Sequence, residues 1–304
     1  MKIYYHLPGL FEFYDFYKEF LKIWSEKREY FYDWCDIGSI YGAPSDALWG
    51  GGRVGFGDAR FGDVLKLVGE YGISARLTFS NSELEEDDLE DYMCNKLCEA
   101  FEKNGQNGQN EKNRQNGVIV YSELLLKYLR KKYPGLYLVS STTKVLTDFK
   151  DLEKELEREE FRFVVPDFRL NKSFKELAGL PKNLKSKVEF LCNECCDYDC
   201  KARKECYKNV SLKALGKTDK DFNCASSRGK EGYRFSVAMK NPGFIGIDDI
   251  VNTYAKMGFS HFKIEGRGLG SAILLEFILY YMVKPEFQLL IREEMYLDSM
   301  LDLF

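Results

Sequence analysis

The chain has 304 residues, 45% of them hydrophobic and 15% aromatic, enough apolar material for one large α/β core or two smaller ones. Net charge is −4 with acidic and basic residues well mixed, so no basic surplus supports non-specific nucleic-acid binding. The most apolar stretch, Ala272 to Val283, is too short to span a bilayer and contains Glu276, and Met1-Lys-Ile-Tyr-Tyr lacks a signal-peptide apolar region. The expectation is a soluble cytoplasmic protein whose thiols stay reduced.

In chain order, short apolar strands alternate with amphipathic helices. Strands are expected at Lys2–Tyr5, Asp36–Ile40, Ser74–Phe79, Val118–Tyr121, Leu136–Ser140, Arg162–Val165, Lys187–Leu191 and His261–Ile264. Helices are expected at Phe11–Glu26, Ala59–Tyr71, Glu83–Glu102, Ser122–Lys132, Thr147–Glu159 and Phe174–Gly179, then Ser271–Val283 and Pro285–Leu301. About eight βα repeats at this length predict a TIM-like (β/α)8 barrel over residues 1–284, with residues 285–304 as a C-terminal helix. Two insertions break the rhythm. Asn104–Gly117 is a Gly/Asn-rich polar near-repeat, expected to be a flexible surface loop. Asn193–Gly243, between the seventh and eighth strands, falls on the face where barrel enzymes keep their chemistry.

Period-two alternation predicts what fills the barrel. Val188, Phe190, Phe262 and Ile264 face the helices, whereas Glu189, Leu191, His261, Lys263 and Glu265 face inward, as do Ser74, Arg76, Thr78 and Ser80. Arg76 and Lys263 are thereby available to pair with Glu189 and Glu265. Such a charged interior is either an ion-pair network or a substrate site.

The second insertion holds most of the chain's nine cysteines. Cys192, Cys195, Cys196, Cys200 and Cys206 occupy fifteen positions and Cys224 follows. In a reducing compartment such density reads as a metal site before disulfides. Cys195 and Cys196 point to opposite faces and do not ligate together; Cys192 shares the parity of Phe190 and reads as a small buried hydrophobe. Cys94 and Cys98 lie on a helix and read as packing. Cys196 and Cys200, spaced for one turn, are completed by Cys206 and Cys224, with Cys192, Cys195 and Cys35 in reserve for the fourth place. The irregular spacing favours a [4Fe-4S] cluster over structural zinc, the runner-up, and Lys201, Arg203, Lys204 and Lys208 offer charge compensation.

At these residues a family resemblance enters. Glu189-x6-Cys196-x3-Cys200-x2-Arg203, preceded by Asn193-Glu194, resembles the cysteine signature of peptidase family U32. Asn241-Pro-Gly-Phe-Ile245 through Asp248-Asp249-Ile250, then Phe262-Lys-Ile-Glu-Gly-Arg267, is similar to that family's downstream segment. The resemblance is concentrated in residues 187–268. It implies a TIM-like barrel, a cysteine-bound [4Fe-4S] cluster and either the peptidase activity of the family label or oxygen-independent hydroxylation, as in superfamily members acting on ubiquinone, tRNA or ribosomal RNA. One departure is Cys206-Tyr207, where relatives tend to carry His-Tyr.

Glu265 and Arg267, at the mouth of the last strand, are the expected catalytic pair; Arg53, Arg76 and Lys263 are the expected substrate-binding residues, suited to an anion. Arg53 ends the glycine-rich Gly50-Gly-Gly, whose amides suit an anion too. Gly216-Lys-Thr218 is not a P-loop, because Ser211 stands where the first glycine belongs. No G-x-S-x-G or H-E-x-x-H is present, and only His6 and His261 are available to a hydrolytic triad. The expected function is a redox enzyme on an anionic small molecule or RNA, against a U32-type peptidase or a non-catalytic cluster-bearing subunit. A protein partner is an option through the aromatic stretch Tyr30–Trp34, which core packing explains better.

Overall fold

A computed structural model describes residues 1–52, 55–106, 115–194, 196–224 and 233–301. Eight parallel strands are ordered β6-β5-β4-β3-β2-β1-β8-β7: β1 (Ile3–Pro8), β2 (Cys35–Gly42), β3 (Ala75–Phe79), β4 (Gly117–Val120), β5 (Tyr137–Ser140), β6 (Phe161–Val164), β7 (Glu189–Leu191) and β8 (His261–Lys263). A parallel bridge from Val164 to Val188 joins the two ends, so the sheet is a nearly closed TIM-like barrel. The intervening helices are α1 (Tyr14–Glu26), α2 (Phe61–Glu70), α3 (Tyr92–Gln106), α4 (Glu123–Lys132), α5 (Phe149–Glu157), α6 (Phe174–Gly179) and α7 (Lys182–Lys185).

Some elements begin where a cap residue dictates. Ser122 accepts the amide of Leu125 and starts α4, whose Leu125, Leu126 and Leu129 are buried; losing such a cap costs about 1 kcal/mol. The single helix expected at Glu83–Glu102 is divided instead. Glu85 and Asp88 cap a 3-10 turn at Glu86–Glu90, and Asp91 Oδ1 then accepts the Cys94 amide at 2.7 Å to start α3 afresh. Cys94 and Cys98 on α3 are fully buried, as is Cys35. Of the polar insertion at Asn104–Gly117, residues 107–114 lie outside the described residues.

The side-chain alternation follows the pleat. Phe190 and Phe262 pack outward against Tyr254 and Phe259 under the helices. Tyr41, Ile119, Tyr137, Val139, Phe163, Val165 and Leu191 form a separate apolar cluster inside the barrel. The aromatic stretch after α1 belongs to the core: Phe31 is fully buried, Tyr30 stacks on Phe287, and Trp34 stacks on Tyr32. After β8 come α11 (Ser271–Met282), which buries Leu274, Leu275, Phe277, Ile278, Tyr281 and Met282, and α12 (Gln288–Leu301). No helix among the described residues is long and apolar enough to cross a membrane.

The insertion after β7 is more ordered than a loop. It contains α8 (Arg203–Ala214) and α9 (Phe235–Ala238); between it and β8 a helix, α10, runs over 247–257 with a π turn at Ile250–Tyr254. Its helix α8 crosses to the far side of the C-terminal face, where Ser211 Oγ accepts the Ser82 amide at 3.1 Å. Gly52, at φ 64°, lets that helix approach: a Cβ there would stand 2.8 Å from that of Ala214. The insertion's far end is pinned by Asn171, whose amide donates to Leu191 O and Gly243 O. Gly243 is close-packed, since a Cβ would meet Phe168 O at 2.6 Å.

Candidate functional site

Two polar constellations occupy the barrel, one at its C-terminal mouth and one below it. The mouth is built from the ends of β1, β6, β7 and β8. Asp167, just past β6, caps a turn by accepting the Arg169 amide and also holds the Arg169 Nε at 2.6 Å. Arg203, the first residue of α8, is 2% exposed; it donates to Glu194 and lies 3.7 Å from Asp167. Its guanidinium lies over the rings of Phe168 and Tyr207. Burial works against the Arg203 charge, but Glu194, Tyr207 and Asp167 together more than offset it, and Arg203 stays firmly protonated. Lys201, Lys204 and Lys208 are exposed, so among the four expected cations Arg203 alone is drawn inside.

The cysteines meet this charged floor. Glu194 Oε1 accepts the Cys196 amide at 3.0 Å, Asn241 donates to Cys196 O, and Arg169 donates to Cys200 O at 2.9 Å. Cys200 lies close enough to the Cys196 thiol to disfavour its ionisation. Burial pushes the Cys196 thiol up to about 12, with Arg203 pulling the other way. Cys192 is fully buried, Cys206 is half-buried on α8, and Cys224 is exposed. Cys195 lies outside the described residues. Among the described residues no group of three or more His, Cys, Asp or Glu is arranged to hold a metal ion. The donor chemistry therefore fits a thiophilic group at two positions, Cys196 and Cys200, next to two guanidinium groups that suit an anionic cluster.

On the other side of the mouth, Asn193 clamps the β8 exit through both its amide atoms: Nδ2 donates to Glu265 O, and Oδ1 accepts the Glu265 amide at 2.7 Å. Gly266 adopts φ 150°, and a Cβ there would press on Phe277 at 3.2 Å, so the turn needs glycine. Arg267 then reaches across to Glu12, Nε to Oε1, at 2.6 Å. Glu12, which follows β1, went unnoticed in the sequence because nothing local marks it. Arg53 lies outside the described residues.

The lower constellation centres on Glu189, which has no exposed surface. Arg76 Nη1 donates to its Oε2 at 2.6 Å, His6 Nε2 lies 3.3 Å from the same oxygen, and Lys263 Nζ lies 3.7 Å from Oε1. Arg76 also donates from Nε to the Tyr137 hydroxyl and lies over the Phe163 ring. His6 Nδ1 is 2.8 Å from Ser39 Oγ, and its Nε2 is 3.1 Å from His261 Nδ1. Burial raises the cost of the Glu189 charge, but Arg76 and Lys263 overcome it and hold the carboxyl below its usual range. Burial lowers His6 well below the ordinary imidazole value, lowers His261 to about 4 and lowers Lys263 to about 7. Ser39, His6 and Glu189 form a hydroxyl–imidazole–carboxylate series that the sequence did not disclose. Ser39 is nevertheless fully buried and presented to Nδ1, with the carboxylate on Nε2. A cavity of about 860 Å³ opens at the opposite end of the strands, lined by Gln115, Arg130, Tyr137, Glu160 and Arg162.

The solved structure of the U32 peptidase Mk0906 superposes on 88% of this chain and 94% of its own, with a TM-score of 0.50 and 14% sequence identity. The chain has a U32-like fold. At that identity the likeness is one of architecture. No protein-family model and no curated protein matches the sequence.

Proposed function

We propose that the chain is an iron–sulfur-cluster-binding redox enzyme built on the U32-like barrel, acting on an anionic substrate at the C-terminal mouth. The observation that carries this reading is the proximity of Cys196 and Cys200 beside the buried Arg203 and the partly buried Arg169. Cys196 and Cys200 would hold a [4Fe-4S] cluster, with Cys206 and Cys224 of the same insertion completing the set. Bound there, the cluster supplies one-electron transfer. The chain's own residues do the rest. Arg169 and Arg203 balance the negative charge of thiolate ligands, and the pair with Asp167 and Glu194 keeps those cations fixed. Arg267, oriented by Glu12, holds the substrate's anionic group, since a guanidinium bonded through Nε still offers its terminal nitrogens. Glu265 takes or gives a proton at the mouth. The cysteine chemistry suits a reducing compartment such as the cytoplasm.

The neighbour's name raises a hydrolytic reading, and among the described residues the Ser39–His6–Glu189 series favours it. Burial of all three, at 1% exposure or less, argues against access by a peptide. Substitution separates the two readings. Cys196→Ala or Cys200→Ala should bleach anaerobically purified protein while Cys94→Ala leaves its colour intact. Peptidase activity that survives iron removal and disappears in Ser39→Ala would instead establish hydrolysis.

A further inference from the structure

The C-terminal ends of the eight strands form a ring, and α8 lies across it. Asp167 and Glu194, which face Arg203 at the start of α8, follow β6 and β7. Ser82 and Gly52, which meet Ser211 and Ala214 near its end, follow β3 and β2. In a barrel whose ring closes between β6 and β7, those two pairs of strands stand on opposite sides. The 12 residues of α8 run for about 18 Å, so the helix bridges the mouth from one side to the other.

Its two ends are held differently. At the first, the Arg203 guanidinium is buried, paired with Glu194, close to Asp167 and laid over the Phe168 and Tyr207 rings. At the second, the hold is the bond from the Ser82 amide to Ser211 Oγ, the exposed pair of Lys217 with Glu85, and the half-buried Leu215 just past the helix. An exposed ion pair contributes little. Within α8 only Arg203 and Ser211 are buried, so no apolar stripe adds to these contacts. At the β3 rim beside Ser82, Thr78 and Ser80 are buried, and their hydroxyls have no hydrogen-bond partner among the described residues. Unbonded buried hydroxyls are costly, and water admitted at the rim would satisfy them.

We propose that α8 is a hinged lid on the barrel mouth, with its Arg203 end as the hinge and its Ser211 end as the latch, and that release of the latch opens the mouth to substrate. That the mouth takes substrate rests on the proposed redox reading; that the latch releases does not. Cys196 and Cys200 adjoin the hinge through Glu194 and Arg169, so the thiols keep their surroundings while the far end moves.

Hydrogen–deuterium exchange of the full chain, resolved residue by residue, tests this. Once released, a polar helix of this length does not keep its own hydrogen bonds in water, so opening is read as exchange. Amides in the second half of α8, with that of Ser82, should exchange at least about tenfold faster than those of the barrel helix α4. Ser211→Ala should accelerate residues 209–214 roughly fivefold, the factor for one lost hydrogen bond, with Cys206 and Tyr207 at the hinge changing less and the unfolding midpoint unmoved. The measurement needs no cluster, so a colourless protein would sink the redox reading while the exchange rates still decide the lid. Exchange in α8 as slow as in α4, or a Ser211→Ala variant that exchanges like the wild type, would overturn the lid; equal acceleration along the whole helix would overturn the hinge.

Discussion

Replacing Lys263 by Met removes the amine while keeping an unbranched chain of similar volume against Tyr41. Lys263 is lowered from 10.5 to about 7 by burial, with Glu189 partly offsetting. Between those values the unfolded chain holds the proton and the folded chain does not. Stability from this group is therefore complete above pH 10.5 and is lost as pH falls towards 7. The interval is about 3.5 units, and each unit corresponds to about 1.4 kcal/mol, so the full span is up to about 5 kcal/mol. From pH 7 to pH 9 the wild type should gain roughly 2 kcal/mol relative to Lys263→Met, and the variant should be the more stable protein at pH 7. Urea denaturation of both proteins at pH 7, 8 and 9, read as the difference in midpoint at matched slopes, measures this directly. Parallel pH curves, with the variant weaker by the roughly 3–5 kcal/mol expected for breaking a buried ion pair, would refute the reasoning and make Lys263 a charged partner of Glu189.

Other expectations follow from the same contacts. Arg76→Met leaves Glu189 without its direct partner at zero exposure and should cost roughly 3–5 kcal/mol by denaturant titration, whereas Glu189→Gln with Arg76→Met together should cost less than the sum. Arg203→Met should loosen the cysteine insertion without unfolding the barrel, seen as faster proteolysis within residues 193–243, because it removes the cation beside Glu194 and leaves Asp167 with Arg169 alone on the mouth floor. Arg267→Ala should leave the cluster spectrum nearly unchanged while weakening binding of an anionic substrate, and should lower the unfolding midpoint because it strands the fully buried Glu12 carboxylate; loss of the cluster would make Arg267 a support of the cysteine loop.

The barrel was legible because its strands alternate cleanly and its helices carry apolar stripes. Phe190 and Phe262 point outward, and Glu189 and Lys263 inward, as period two requires. Strand ends moved by a few residues, most at β1, which runs on to Pro8 because its later residues still pair with β2. The insertion was harder to read. Helix α8 buries only Arg203 and Ser211, so it has no apolar stripe to betray it; an ion pair and a serine hydroxyl hold it instead. Likewise Glu12, Ser39 and Asp167 sit in ordinary local sequence and gain meaning from partners far along the chain. His6 was visible as one of two histidines, but its contact with Ser39, 33 residues away, exists only once β1 pairs with β2. The cysteine pair, by contrast, was marked by density and spacing alone.

The central claim is the cluster, and its most direct measurement is iron, acid-labile sulfide and zinc analysis of the protein purified without oxygen, with its absorption spectrum. The account predicts a brown protein with iron and sulfide in near-equal amounts, close to one [4Fe-4S] cluster per chain, and bleaching on exchange of Cys196 or Cys200 for Ala. Zinc alone, or a colourless protein that takes up neither iron nor sulfide on anaerobic reconstitution, would contradict it.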